Sequence, residues 1–173
     1  MVRGLDIFRE HFVDRSAQYA LIGGTACYLA FSSRGLEFRS TKDLDIVLII
    51  DALDDDFGRA FWDFVQKGGY QHQAKSEGRE VQFYRFKNPT DESYPAMLEL
   101  FSREPDFDIP VASGDLTPIP LGEISSLSAI LLNDDYYELI QEGTMVEDGV
   151  SFISPETLSP LKGSGWLGRT RQR

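Results

Sequence analysis

The stretch over residues 19–50, YALIGGTACYLAFSSRGLEFRSTKDLDIVLII, constrains the fold more than any other part of the chain. A short apolar run ends at Gly23-Gly24-Thr25, which reads as a buried strand closed by a turn. From Thr25 to Phe31 the apolar residues crowd together as they would in a helix packed on a sheet. Residues 44–50 are apolar nearly throughout, the pattern of a strand covered on both faces. Charge enters only at the start of this strand, where Asp43 and Asp45 flank Leu44. The two-residue period of a strand puts both acids on one side and Leu44 on the other.

Two carboxylates held this way repel each other by about 4 kcal/mol at ~4 Å and an effective dielectric of ~20. A surface pair can splay apart, so a lone D-x-D marks no more than a solvated turn. The surroundings argue for more. Glu99 lies inside a second apolar strand over residues 96–101, between Leu98 and Leu100, where an acid is costly unless paired or metal-bound. Three carboxylates on adjacent strands would make an oxygen-rich cage for one or two Mg2+ ions, with Mn2+ as a substitute. The diglycine lets backbone N–H groups approach a phosphate at a helix N-terminus, and Thr25 adds a hydroxyl there.

The segments G-G-T-A, R-x-T-K-D-L-D and L-E-L-F together resemble the polymerase-beta-like nucleotidyltransferase superfamily, and within it the AbiEii/AbiGii toxin group of minimal nucleotidyltransferases. The residues that carry the likeness are Gly23, Gly24, Thr25, Ala26, Arg39, Thr41, Lys42, Asp43, Asp45 and Glu99. A softer likeness continues through residues 127–132, 155–158, 161–162 and 166–167, so it covers most of the chain. The resemblance implies an α+β fold, a mixed or antiparallel sheet with flanking helices, as a single domain over residues 1–173. It implies transfer of an NMP from an NTP to an RNA or protein acceptor, in a toxin–antitoxin setting with a cognate antitoxin as partner. Asp43, Asp45 and Glu99 would be the catalytic and metal-binding residues. Gly23, Gly24, Thr25, Arg39, Thr41 and Lys162 would bind the nucleotide, with Lys162 or Arg39 neutralising phosphate charge.

One departure from the family pattern lies near the end. Lys162 is followed by Gly163-Ser164-Gly165-Trp166-Leu167-Gly168, and three glycines at about 1 kcal/mol each make a poor helix. The expectation is a shortened C-terminal helical part. This leaves a second reading open: a catalytically decayed module of the same fold that binds a nucleotide or a partner. A small-molecule nucleotidyltransferase, of the kind that modifies antibiotics, is a third.

Composition narrows the partners. The net charge is −11, and it stays at −8 with the three candidate site acids set aside. Phosphate contacts come mainly from Lys and Arg, so an extended nucleic-acid surface is not expected. The basic run over residues 169–173 is a local patch or a solvated tail. No stretch reaches the roughly 18 apolar residues of a membrane span, and the opening residues do not read as a signal peptide. A cytoplasmic chain with no membrane partner is the expectation. The single cysteine, Cys27, reads as a small buried hydrophobe, and neither His11 nor His72 has a neighbour at metal-ligand spacing.

The remaining elements follow from pattern. Residues 5–12 suit an amphipathic helix with Leu5, Phe8 and Phe12 on one face. The acids from Asp51 to Asp56 read as a helix N-terminus, since Phe57, Phe61, Phe64 and Val65 follow at helical spacing and Gly68-Gly69 closes the helix. Residues 70–73 and 81–86 suit an antiparallel pair, with Val81, Phe83 and Arg85 on one face. Helices are predicted near residues 124–132 and over 134–141, and another opening at Ser154-Pro155-Glu156. Asp148-Gly149 marks a hairpin between residues 144–147 and 150–153.

Overall fold

The computed structural model describes residues 1–75, 82–103, 116–119, 128–154 and 156–157. Helix α1 (Leu5–His11) leads into β1 (Tyr19–Ile22), α2 (Gly23–Ser32) and β2 (Asp43–Leu48). Helix α3 (Asp55–Gly68) is followed by β3 (Gln71–Lys75), β4 (Gln82–Lys87) and β5 (Met97–Ser102). The described chain ends with β6 (Leu116–Pro118), β7 (Ser128–Leu131), α4 (Asp134–Glu142), β8 (Thr144–Glu147) and β9 (Val150–Ile153). The class is α+β with a mixed sheet.

Strand β2 is the organising element. It runs antiparallel to β1 and parallel to β5, within a path β3-β4-β5-β2-β1-β9-β8. The parallel pairings β1 with β9 and β5 with β7 make the sheet mixed. On the face that carries Leu44, Tyr19, Leu21 and Phe86, helices α1 and α3 bring in an aromatic cluster. Phe8 and Phe12 meet at 4.5 Å between ring centroids, Phe8 stands edge-on to Tyr19 at 5.3 Å, and Phe61 packs on Phe86 at 5.3 Å. These are the tilted and edge-to-face arrangements that the ring quadrupole favours.

Local chemistry explains the element ends. The Asp54 carboxylate accepts the Phe57 N–H at 2.7 Å, an N-cap worth about 1 kcal/mol. Asp55 and Asp56 occupy the first turn of α3, where the helix dipole favours them. The helix stops at Gly69, whose φ of 62° lies in the left-handed region. In the hairpin, Asp148 and Gly149 both have positive φ, 50° and 75°, as a two-residue turn between twisted strands requires. The Tyr137 hydroxyl accepts the Ile50 N–H at 2.9 Å, which makes it a packing and positioning residue.

One prediction is corrected. The helix expected near residues 124–132 is absent over its described part: β7 pairs parallel with β5 and antiparallel with β6. A short apolar run such as Ala129-Ile130-Leu131 suits helix and strand alike, and the unpaired C-terminal half of β5 decides for strand. Residues 76–81, 104–115 and 120–127, and most of the helix predicted to open at Ser154-Pro155-Glu156, lie outside the described residues. No helix of the described residues is long and apolar enough to cross a membrane.

Candidate active site

Strand register brings the acids together. Asp45 lies across from Ile22 on β1 and from Glu99 on β5, and Glu99 lies across from Arg85 on β4. Directly paired residues project to the same face, so Asp45, Glu99 and Arg85 form a row across three strands. Asp43, two residues before Asp45, shares that face. One step over, Leu44, Leu98 and Phe86 form the matching row on the other face, fully buried in the aromatic core. The period-two expectation from the sequence thus describes the arrangement of Asp43 and Asp45.

The diglycine turn lies directly against these acids. Gly23 opens α2 with φ of 65°, and a Cβ placed on it would collide with Asp45 Oδ2. Glycine therefore serves two needs at this position, a left-handed backbone and close approach to a carboxylate. A Cβ on Gly24 would meet the Thr41 side chain at 3.3–3.6 Å. Thr41 Oγ1 in turn accepts the Asp43 N–H at 3.4 Å. The residue before α2, Ile22, has no polar side chain to cap the helix. The N-terminus of α2 lies beside the acids, at the end where the helix dipole favours an anion.

Thr25 takes a different role from the one expected. The sequence reading gave its hydroxyl to a phosphate. In the structure Thr25 is fully buried and its hydroxyl donates to the Asp43 carbonyl at 3.0 Å. It braces α2 against the start of β2.

Burial pushes the Asp45 carboxyl up to about 7; the neighbouring Glu99 and Asp43 charges add to the rise, and Arg85 offsets part of it. Glu99 is only 2% exposed and is paired with Arg85, whose Nε and Nη2 both donate to Oε1. Among the described residues, no three His, Cys, Asp or Glu side chains stand as a set that could hold a metal ion. Glu99 is committed to Arg85. Asp43 and Asp45 lie two residues apart on one face of β2. That donor pair fits a hard divalent cation.

The structure therefore gathers Gly23, Gly24, Thr25, Thr41, Asp43, Asp45 and Glu99. Arg39 is exposed on the connection between α2 and β2. Lys162 lies outside the described residues. Arg85 is the site residue to which the sequence reading gave no role. Its signal was present: a buried acid in β5 needs a cation, and Arg85 is the basic residue amid Phe83, Tyr84 and Phe86 on a strand predicted to pair nearby.

The chain matches no protein-family model, no curated protein and no solved structure. The family likeness thus rests on the residues quoted above. A separate cavity of about 290 Å³, lined by Leu5, Arg9, Tyr28, Ser32 and Asp148 among others, is lined by none of the candidate site residues.

Proposed function

We propose that the chain is a metal-dependent nucleotidyltransferase of the polymerase-beta-like kind, moving an NMP from an NTP to an acceptor hydroxyl. The observation that carries this reading is the contact between the Gly23 turn and the Asp45 carboxylate. It sets an anion-binding helix end beside a cation-seeking pair of acids. A triphosphate chelating a divalent ion is the ligand that presents both charges at once.

Each residue then has a task. Asp43 and Asp45 would hold the ion, which when bound neutralises phosphate charge and favours ionisation of the acceptor hydroxyl. Gly23 and Gly24 offer backbone N–H groups to the β- and γ-phosphates. Thr25 and Thr41 fix Asp43 from its carbonyl and its N–H. Arg39 and Lys162 remain the candidates for further phosphate contacts. The acceptor oxygen forms a bond to the α-phosphorus while the α–β bridging bond breaks and pyrophosphate leaves with the electron pair. The hydroxyl proton passes to Glu99, through Oε2, since Arg85 takes Oε1. Position and charge carry most of the rate.

The Arg85–Glu99 pair supports a second reading, a module that binds nucleotide without turnover. Incubation with α-labelled NTPs, Mg2+, RNA and protein acceptors separates the two. The expected result is label on an acceptor, reduced about a thousandfold in Asp43→Asn. Wild-type transfer by Asp43→Asn contradicts the assignment, and bound nucleotide with no labelled product favours the module.

A further inference from the structure

We propose that the outer edge of β8 is a docking site for an extended, basic peptide segment of another protein. The segment adds to the sheet as a further strand and sets a lysine or arginine at the cavity beside the hairpin turn. The inference is independent of the reading of Asp43 and Asp45.

Strand β8 ends the strand path, and among the described residues no strand pairs with its outer edge. Every second residue of such an edge turns its N–H and C=O outward. Thr144-Met145-Val146-Glu147 has none of the devices that protect an edge: no lysine, no proline, and an unbroken register with β9. Its surroundings are apolar. Val13 and Val146 are each more than half exposed, and Met1 and Met145 are exposed as well. Val13 lies against the hairpin turn at Gly149, and Met1 lines the cavity of about 290 Å³ together with Glu147 and Asp148.

Charge selects the occupant. Among the side chains that line the cavity, Asp6, Glu147 and Asp148 stand against Arg9. Arg9 is paired with Asp6 at 3.2 Å, whereas neither Glu147 nor Asp148 forms an ion pair with a described residue. Met145 and Glu147 share one face of β8. A peptide strand laid alongside therefore presents an apolar residue to Met145 and, two residues on, a basic one to Glu147. The aliphatic stem of that basic residue can lie along Leu5 and Leu29, which also line the cavity. A second copy of the chain is the poorer occupant, because each copy carries a net charge of −11.

Fluorescence polarisation on the full chain tests this with a labelled peptide that alternates threonine and valine and carries two lysines on its valine face. A second peptide has glutamates in place of the lysines, and a third is the lysine peptide N-methylated on alternate amides. The wild type is expected to bind the lysine peptide at least about tenfold more tightly than either of the others, and more weakly as salt rises. Glu147→Gln with Asp148→Asn, and separately Met145→Lys, are each expected to weaken binding about tenfold. Asparagine tolerates the positive φ at position 148, and Met145 is exposed, so both variants are expected to fold, with circular dichroism as the check. The peptide series on the wild type stands as the test should a variant not fold. A glutamate or N-methylated peptide that binds as tightly as the lysine peptide, no binding of the lysine peptide up to about 1 mM, or wild-type affinity in both folded variants overturns the proposal. A dimer in sedimentation velocity that Met145→Lys abolishes gives the edge to a second copy and overturns it too. None of these outcomes bears on the nucleotidyl-transfer reading.

Discussion

At pH 8 and without metal, Asp45→Asn is expected to melt on the order of 8 °C above the wild type while losing nucleotidyl transfer. The reason is the raised proton affinity of Asp45. In the folded chain its carboxyl titrates near about 7, against 3.8 for an unperturbed aspartate. Between those values the folded state binds a proton that the unfolded state does not, so stability falls as pH rises through that window. Above it the wild type carries a buried, ionised and repelled carboxylate, a cost on the order of 3 kcal/mol. The neutral amide removes the cost and keeps the shape. Chemical denaturation of both proteins from pH 4 to pH 8 checks this: the gap is near zero at the acid end and largest at the alkaline end. Saturating Mg2+ should stabilise the wild type and leave Asp45→Asn unchanged. A wild type as stable as the variant at every pH would mean that Asp45 ionises without strain, and the cation-seeking character of the site would be lost with it.

Gly23→Ala is expected to destabilise by about 2–4 kcal/mol, whereas Gly24→Ala stays within about 1 kcal/mol of the wild type. Two costs combine at position 23. A side chain at φ of 65° is strained in itself, and the added Cβ overlaps Asp45 Oδ2. Turning the carboxylate aside only partly relieves the overlap, because it moves the charge among Glu99 and Asp43. Position 24 has no positive φ, and its Cβ would press on the Thr41 side chain at 3.3–3.6 Å, a much milder contact than at position 23. The two substitutions therefore differ in sign of context, not in chemistry. Urea denaturation reads the stability difference, and Mn2+ affinity reads displacement of Asp45. Equal effects at both positions would show that the turn does not press on the acid.

Much of this site was legible in the sequence, for reasons that are local. Asp43 and Asp45 share a face because strand geometry leaves no alternative, and Asp54 and Asp148-Gly149 announce a helix start and a hairpin by their own chemistry. What escaped depends on partners far away in the chain. Residues 128–131 form a strand because β5 has an open edge, which nothing within the run itself reveals. The hydroxyl of Thr25 goes to the Asp43 carbonyl because α2 folds back on β2. Arg85 and Glu99 meet through an antiparallel register whose connecting turn sets the alignment. A one-residue slip there would have put Phe86 beside the acids.

The central claim is that Asp43 and Asp45 bind a divalent ion beside the turn at Gly23. Anomalous scattering from a crystal soaked with Mn2+ and a non-hydrolysable NTP measures this directly. The expected result is a peak between the two carboxylates, with the triphosphate against the N-terminus of α2. A peak elsewhere, or none on these carboxylates at saturating Mn2+, contradicts it.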